Sequence, residues 1–138
     1  MSQTLLGFDY GTKRIGVAVG QDISRSVKPL TTLPSQNDKP DWDAISKLIA
    51  EWQPDRLVVG LPLHLDGSVQ PLTQKAQRFG NQLKGRYNLP VEMVDERLTS
   101  HEAEAELAKR GGKMAKADID ALAAALILQS WLDQQSNE

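Results

Sequence analysis

The chain has 138 residues, of which 40% are hydrophobic and 25% charged, with a formal net charge of −2. These values predict one globular domain over residues 1–138 and argue against a histone-like binder, although a local basic patch can still contact phosphates. The lack of cysteine excludes disulfides and thiolate metal sites, and two histidines disfavour a zinc site. With no membrane-length apolar run and no signal-peptide pattern, we expect a cytoplasmic protein without membrane contact.

The first twenty residues predict a β-hairpin whose first strand ends on an acid. Apolar residues alternate over 5–9 and 15–19, and residues 10–13 form the turn between them. Asp9 ends the first strand, where a buried carboxylate without a partner would be costly. It either binds a cation, backbone N–H groups or water, or it simply caps the turn. Gly7 and Gly11 leave the backbone beside it open to close approach.

The next elements are predicted from apolar spacing and from capping residues. Residues 27–33 form a third strand, in which Pro29 indicates an edge or a bulge, and residues 34–40 form a polar loop. Asp41 can cap a helix. The apolar stripe of that helix consists of Trp42, Ile45, Leu48, Ile49 and Trp52. The apolar run over 56–60 is typical of a strand buried on both faces of a parallel sheet.

The second half of the chain predicts further helices and one more strand. A helix is expected over about 71–84, a strand over 91–94, and a helix from a capping box at Thr99 and Glu102 to about residue 110. Gly111 and Gly112 end that helix, and the last helix begins near Asp118. Its residues at core spacing are Ile119, Leu122, Ala123, Leu126, Ile127 and Ser130.

This order of elements predicts an α/β fold. Hairpins give antiparallel neighbours and helical crossovers give parallel ones. We therefore expect a mixed five-stranded sheet, with a three-strand antiparallel meander and two parallel strands, and helices on both faces.

Acidic residues occur at the ends of several predicted elements. They are Asp9, Asp95, Glu96, Asp118 and Asp120. Sites in open α/β sheets form at the carboxyl ends of parallel strands, so these acids are expected to meet at one edge. Clustered carboxylates repel each other, and a bound Mg²⁺ or Mn²⁺ would offset this repulsion. Two such ions about 3.5–4 Å apart can activate a water molecule and stabilise the leaving oxygen of a phosphodiester. Alternatively, Asp118 and Asp120 only interact favourably with the dipole of the helix that they begin, and Asp95 or Glu96 pairs with Arg97.

Four segments together resemble one known family. They are Gly7-Phe8-Asp9-Tyr10-Gly11-Thr12-Lys13-Arg14-Ile15-Gly16-Val17-Ala18, Gly60-Leu61-Pro62 with Asp66-Gly67, Asp95-Glu96-Arg97-Leu98-Thr99-Ser100, and Asp120-Ala121-Leu122-Ala123-Ala124. In this order they resemble the YqgF family, bacterial relatives of the RuvC resolvases with an RNase H-like fold. The family is described as Holliday-junction resolvases and is implicated in trimming the 5′ end of precursor 16S rRNA.

The resemblance implies specific roles for the acids. Asp9, Glu96 and Asp120 would be the catalytic, metal-binding residues, with Asp95 and Asp118 as rivals. His64 stands where relatives often carry Asn, so it is either a proton donor to the leaving group or an ordinary loop residue.

Basic residues near these acids are candidates for nucleic-acid binding. They are Lys13, Arg14, Arg97, Lys109, Arg110, Lys113 and Lys116. Those around the Gly-Gly pair either contact phosphates with salt-sensitive affinity or form a solvated loop. No run of exposed aromatic residues predicts base stacking, so strong sequence readout is not expected.

The sequence thus predicts a phosphodiester hydrolase. The main hypothesis is a Mg²⁺- or Mn²⁺-dependent nuclease that processes precursor 16S rRNA in ribosome biogenesis. The alternative is a Holliday-junction resolvase-like endonuclease for branched DNA, which would need two active sites and hence a dimer; the oligomeric state stays open. Two weaker hypotheses are a non-catalytic nucleic-acid-binding module and an actin-like phosphate-binding hairpin at Asp9-Tyr10-Gly11-Thr12, for which 138 residues are too short.

Overall fold

The computed structural model describes residues 3–36, 38–64, 66–95 and 116–136. The strands are β1 (Thr4–Tyr10), β2 (Arg14–Gln21), β3 (Val27–Gln36), β4 (Lys39–Pro40), β5 (Arg56–Leu61) and β6 (Val91–Asp95). The described helices are α1 (Trp42–Trp52), α2 (Pro71–Tyr87) and α3 (Lys116–Ser136). The helix predicted over 99–110 lies outside the described residues. Among the described helices, none has the length and apolar character needed to cross a membrane.

The sheet is mixed, as predicted, but it has six strands instead of five. Its order is β4-β3-β2-β1-β5-β6, with β1 parallel to β5, β5 parallel to β6, and the remaining pairs antiparallel. The loop predicted over 34–40 is wrong, because β3 continues to Gln36 and turns back so that Gln36 pairs with Lys39. Asp38 in this turn has a φ of 62°, a left-handed conformation that Asp adopts more readily than most residues.

Strand β3 accommodates Pro29 through a bulge. Val17 of β2 faces Thr31, whereas the next residue, Ala18, faces Pro29, so Leu30 is an extra residue in β3. Proline lacks the N–H that a regular ladder position needs, and bulges are one place where a sheet tolerates it. The predicted irregularity at Pro29 is therefore confirmed.

Helices α1 and α2 cover one face of the sheet. The side chain of Asp41 accepts a hydrogen bond from the Ala44 backbone nitrogen, which confirms the predicted helix cap. Ile45 is fully buried against the sheet together with Phe79 of α2. Helix α2 is one turn longer than predicted and ends with Asn88 in the left-handed conformation. We call the apolar cluster on this face the α1–α2-side core.

Helix α3 covers the opposite face, where the sheet surface consists partly of glycine. A Cβ atom at Gly7 would lie 3.1 Å from the backbone oxygen of Ala124, and one at Gly16 would overlap the backbone oxygen of Asp120. The helix backbone therefore rests directly on β1 and β2 at these two positions, which agrees with the close approach expected at Gly7. We call the apolar cluster between α3 and the sheet the α3-side core.

The buried face of α3 differs from the predicted one. Its buried residues are Ala121, Leu122, Ala124, Ala125, Ile127, Leu128 and Leu132. Leu122 and Ile127 were predicted correctly. The other predicted core positions are only half-buried, namely Ile119, Ala123, Leu126 and Ser130. Because apolar residues occur on every side of this helix, their spacing does not select a face, and the shape of the sheet surface selects it instead.

Replacing Gly16 by valine should destabilise the protein. The new side chain would overlap the Asp120 backbone, so α3 must move away from the sheet, which should cost roughly 1–3 kcal/mol. Urea unfolding followed by circular dichroism would measure this loss. Gly85→Ala is the matched control, because a Cβ atom at this exposed position of α2 meets nothing within 4 Å. It should be neutral or stabilise by up to about 1 kcal/mol. Equal unfolding midpoints for Gly16→Val and wild type would contradict the close contact.

Candidate functional site

Two predicted acids lie on one face at the carboxyl edge of the parallel strands. Asp9 pairs directly with Gly16 across the β1–β2 ladder, so both residues face the same side of the sheet. The backbone of Asp120 rests on Gly16. The contact that packs α3 onto the sheet therefore also brings Asp120 to the part of the edge that carries Asp9.

Asp120 forms an ion pair with Arg14. The Nε atom of Arg14 donates a hydrogen bond to Oδ2 of Asp120 at 2.6 Å. The side chains of Arg14 and Asp120 are 41% and 23% exposed. Arg14 begins β2 and lies two residues before Gly16, so the period of two places it on the α3 side of the sheet. The pair fixes the direction of the Asp120 carboxylate and leaves part of the guanidinium open to solvent.

Asp95 lies at the same edge but on the other face. Val94 belongs to the α3-side core and Met93 packs on the α1–α2-side core, so side chains alternate regularly along β6. The next residue, Asp95, therefore faces the α1–α2 side, and its side chain is exposed. Its strand partner is Leu61 at the end of β5. Asp95 and Asp9 are thus separated by the sheet itself.

The loop after β5 is closed by its own hydrogen bonds. The backbone nitrogen of His64 donates to the Ser68 oxygen at 3.0 Å, and that of Gly67 donates to the His64 oxygen at 2.8 Å. The hydroxyl and then the backbone N–H of Ser68 donate to Asp66 and lower the pKa of its carboxyl below the ordinary value. The exposed Asp66 therefore serves to shape this loop, and the His64 side chain lies on the loop surface.

A second group of charged residues lies on the α1–α2 side of the same edge. The Nζ atom of Lys75 lies 2.7 Å from Oδ2 of Asp38. Burial, and then the negative charge of Asp38, raise the pKa of Tyr10, whereas Lys75 and Arg78 oppose this shift. These four side chains are therefore close enough to interact. Lys75 and Arg78 were not among the predicted binding residues, and the available signal was their three-residue spacing near the start of the helix that follows β5.

The remaining predicted residues are distributed as follows. Lys13 is exposed in the turn between β1 and β2. Lys116 and Asp118 belong to the first turn of α3, but their side chains lie outside the described part of the structure. The predicted residues wholly outside the described ranges are Glu96, Arg97, Lys109, Arg110 and Lys113.

The donor atoms at the edge are suited to a hard cation. The carboxylates of Asp9 and Asp120 provide oxygen ligands, which Mg²⁺ prefers over nitrogen or sulfur. Within residues 3–36, 38–64, 66–95 and 116–136, no three His, Asp or Glu side chains are grouped closely enough to hold a metal ion. Glu96 follows the last residue of β6 in the sequence. It is therefore the acid closest in sequence to this edge among those outside the described ranges.

The overall fold is shared with known resolvases. The structure titled "T. thermophilus RuvC in complex with Holliday junction substrate" aligns with a TM-score of 0.61 at 14% identity, covering 98% of this chain and 96% of that chain. The fowlpox virus Holliday junction resolvase aligns with a TM-score of 0.58 at 12% identity, covering 96% of this chain and 99% of that chain. The predicted RNase H-like fold is therefore confirmed.

Several proteins share much more sequence identity with this chain than these solved structures do. A protein from Glaesserella parasuis serovar 5 (strain SH0165) named "Putative pre-16S rRNA nuclease" is 56% identical over 138 residues, covering 99% of this chain and 100% of the relative. One of the same name from Pectobacterium carotovorum subsp. carotovorum (strain PC1) is 50% identical over 136 residues, covering 97% and 98%. The sequence model of the family described as "RuvX: Holliday junction resolvase" matches residues 3–134. The resemblance found in the motifs is thus confirmed, and the chain belongs to the RuvX (YqgF) family.

Proposed function

We propose that this protein is a divalent-metal-dependent nuclease that processes the 5′ end of precursor 16S rRNA in ribosome biogenesis. The observation that carries the proposal is the position of Asp9 and Asp120 on one face of the carboxyl edge, set by the contact between α3 and Gly16. Relatives of 50–56% identity that are named as pre-16S rRNA nucleases support the substrate. Such a substrate lies in the cytoplasm, where we expect the protein to act.

The proposed chemistry uses three acids from three separate parts of the chain. Asp9 of β1, Asp120 of α3 and Glu96 after β6 would hold Mg²⁺ or Mn²⁺. The ion, when bound, supplies a Lewis acid for the phosphate and a more acidic water for attack at phosphorus. The protein's own contribution is to hold these carboxylates together against their mutual repulsion. Hydrolysis adds water across one P–O bond and leaves a 5′-phosphate and a 3′-hydroxyl.

Arg14 has two tasks in this proposal. Its ion pair of 2.6 Å orients the Asp120 carboxylate and offsets part of the negative charge at the edge. Its guanidinium is 41% exposed and can also contact a phosphate of the substrate. The exposed Lys13 beside it adds a second positive charge, and the predicted basic residues extend these contacts. They are Arg97, Lys109, Arg110, Lys113 and Lys116.

Branched DNA is the second candidate substrate. The family description and the fold shared with RuvC favour it. Cutting two strands symmetrically would require two active sites and therefore two copies of the chain. Cutting a single strand of precursor rRNA needs one site, so the two substrates make different demands on the oligomeric state.

Asp9→Asn should abolish cleavage while the fold is kept. Removing one negative oxygen from the metal-binding set should lower the rate by about a hundredfold or more, the scale on which groups that stabilise developing charge act. Labelled precursor 16S 5′-leader RNA and a four-way DNA junction would be incubated with Mg²⁺, Mn²⁺ or chelator. Metal-dependent cleavage of the RNA by wild type is expected, with loss in the variant and in chelator. Cleavage of the junction alone would assign a resolvase, and cleavage of neither would leave a binding module.

Glu96→Gln and Asp95→Asn should have opposite consequences. Asp95 faces the α1–α2 side, away from Asp9, so Asp95→Asn should retain cleavage within about threefold of wild type, as expected for a change outside the site. Glu96→Gln should lose about as much activity as Asp9→Asn. The two variants change net charge equally, and they alter adjacent residues, which makes each the control for the other. Loss of cleavage in Asp95→Asn alone would assign the third acid to Asp95.

A further inference from the structure

The α1–α2 side of the carboxyl edge carries positive charge that the chemistry of the acids does not use. Lys75 and Arg78 lie one helical turn apart near the start of α2, which follows the carboxyl end of β5. Arg78 is exposed and the Lys75 side chain is 37% exposed. Since the whole chain has a net charge of −2, this positive charge is a local feature. Local basic surfaces on mildly acidic proteins can bind phosphates.

Backbone contacts connect these residues to the turn that follows Asp9. The backbone nitrogen of Ser35 donates to the Lys13 oxygen at 2.9 Å, which joins the β1–β2 turn to the β3–β4 hairpin. Asp38 in the same hairpin pairs with Lys75 at 2.7 Å. The β3–β4 hairpin therefore contacts both the turn that carries the exposed Lys13 and the first turns of α2, at the same edge of the sheet.

The ion pair between Lys75 and Asp38 is of a kind that can be exchanged. Both side chains are about one-third exposed, at 37% and 32%, and ion pairs of this exposure contribute little net free energy. Asp38 keeps its position through the hairpin backbone, with a φ of 62° and the Gln36–Lys39 pairing beside it. A backbone phosphodiester carries the same single negative charge and two free oxygens as a carboxylate, but a nucleic-acid strand presents several of them in a row and releases bound counter-ions when it binds, so it can compete with Asp38 for Lys75.

We propose that Lys75 and Arg78 form a second phosphate-binding surface, and that Asp38 is an internal counter-ion for Lys75 which a nucleic-acid phosphate displaces. The inference rests on the proposed function, because it extends the path of the same substrate. A strand that crosses the edge would meet Arg14 on the α3 side and Lys75 on the other side. The strand would then be held on both sides of the sheet, with the phosphodiester at Asp9 between them.

Binding of RNA by charge variants tests this surface. The full chain would carry Asp9→Asn to prevent cleavage, and the probe would be a fluorescein-labelled RNA hairpin with a single-stranded 5′ extension. Lys75→Gln should weaken binding about threefold to tenfold at low salt and reduce the slope of log K against log[salt] by about 0.7, the share of one single-strand phosphate contact. Arg78→Gln should act likewise, and Lys75→Arg should retain most of the affinity.

Lys84→Gln is the matched control for Lys75→Gln. Lys84 is exposed on the same helix, and nine residues of helix place it about 13.5 Å further from the edge. Both variants change the net charge by the same amount. Equal losses of affinity in Lys75→Gln and Lys84→Gln would show that only net charge matters and would overturn the proposal.

Asp38→Asn tests the counter-ion role because its effect should have the opposite sign. Asparagine also tolerates the left-handed conformation at this position, so the hairpin should be kept. Freed from Asp38, Lys75 should bind RNA about twofold to fivefold more tightly, the range of a partly exposed ion pair. The gain should vanish in Asp38→Asn/Lys75→Gln. Unchanged or weaker binding of Asp38→Asn, or the same gain without Lys75, would overturn the role.

The two proposals fail separately. If wild type cleaves precursor RNA but the Lys75, Arg78 and Asp38 variants bind like their parent, the second surface is wrong and the nuclease stands. If the binding pattern holds but wild type cleaves neither RNA nor junction in any metal, the nuclease is wrong and the surface stands as part of a binding module. Thermal melting of each variant would show that differences in affinity do not come from unfolding.

Discussion

The close approach of α3 to β1 and β2 is the contact on which the rest of the structure depends. The helix backbone can reach the sheet because Gly7 and Gly16 place no side chains between them. Leu128 and Ile127 are fully buried in the core that this approach creates. The same approach sets the distance between α3 and the edge that carries Asp9. Stability and the proposed chemistry thus depend on one contact, because a change that loosens the packing also displaces Asp120.

The charges at the carboxyl edge follow from the cost of grouping acids. Carboxylates that converge on one edge repel each other unless positive charge lies nearby. The structure provides it on both sides of the sheet, through Arg14 beside Asp120 and Lys75 beside Asp38. Both pairs are partly exposed, so each is inexpensive to separate. If the acids of this edge bind cations and its basic residues bind phosphates, as we propose, the exchange of such pairs requires no large structural change.

The features that sequence predicts well are those that depend on local pattern. Strict alternation in β1 and β2 and the cap at Asp41 suffice to identify their elements. Strand β4 was not predicted, because a strand of two residues is too short to show an alternation of apolar and polar side chains. The buried face of α3 was predicted only in part because the helix is apolar on all sides. Its face is selected by the contact with Gly16, which is 104 positions before Asp120 in the chain. The Lys75–Asp38 pair spans 37 positions and has no local signature either.

Two adjacent acids at the end of β6 illustrate what the sheet adds to a sequence motif. Asp95 and Glu96 are chemically similar, and composition cannot rank them as ligands. Successive side chains of a strand face opposite sides, so at most one of two adjacent acids in an extended chain can share the face of Asp9. Val94 is buried beneath α3, and this burial fixes which residues of β6 face α3 and which face the opposite side of the sheet. The alternation that starts at Val94 places Asp95 on the face opposite Asp9, and for this reason we propose Glu96 rather than Asp95 as the third acid.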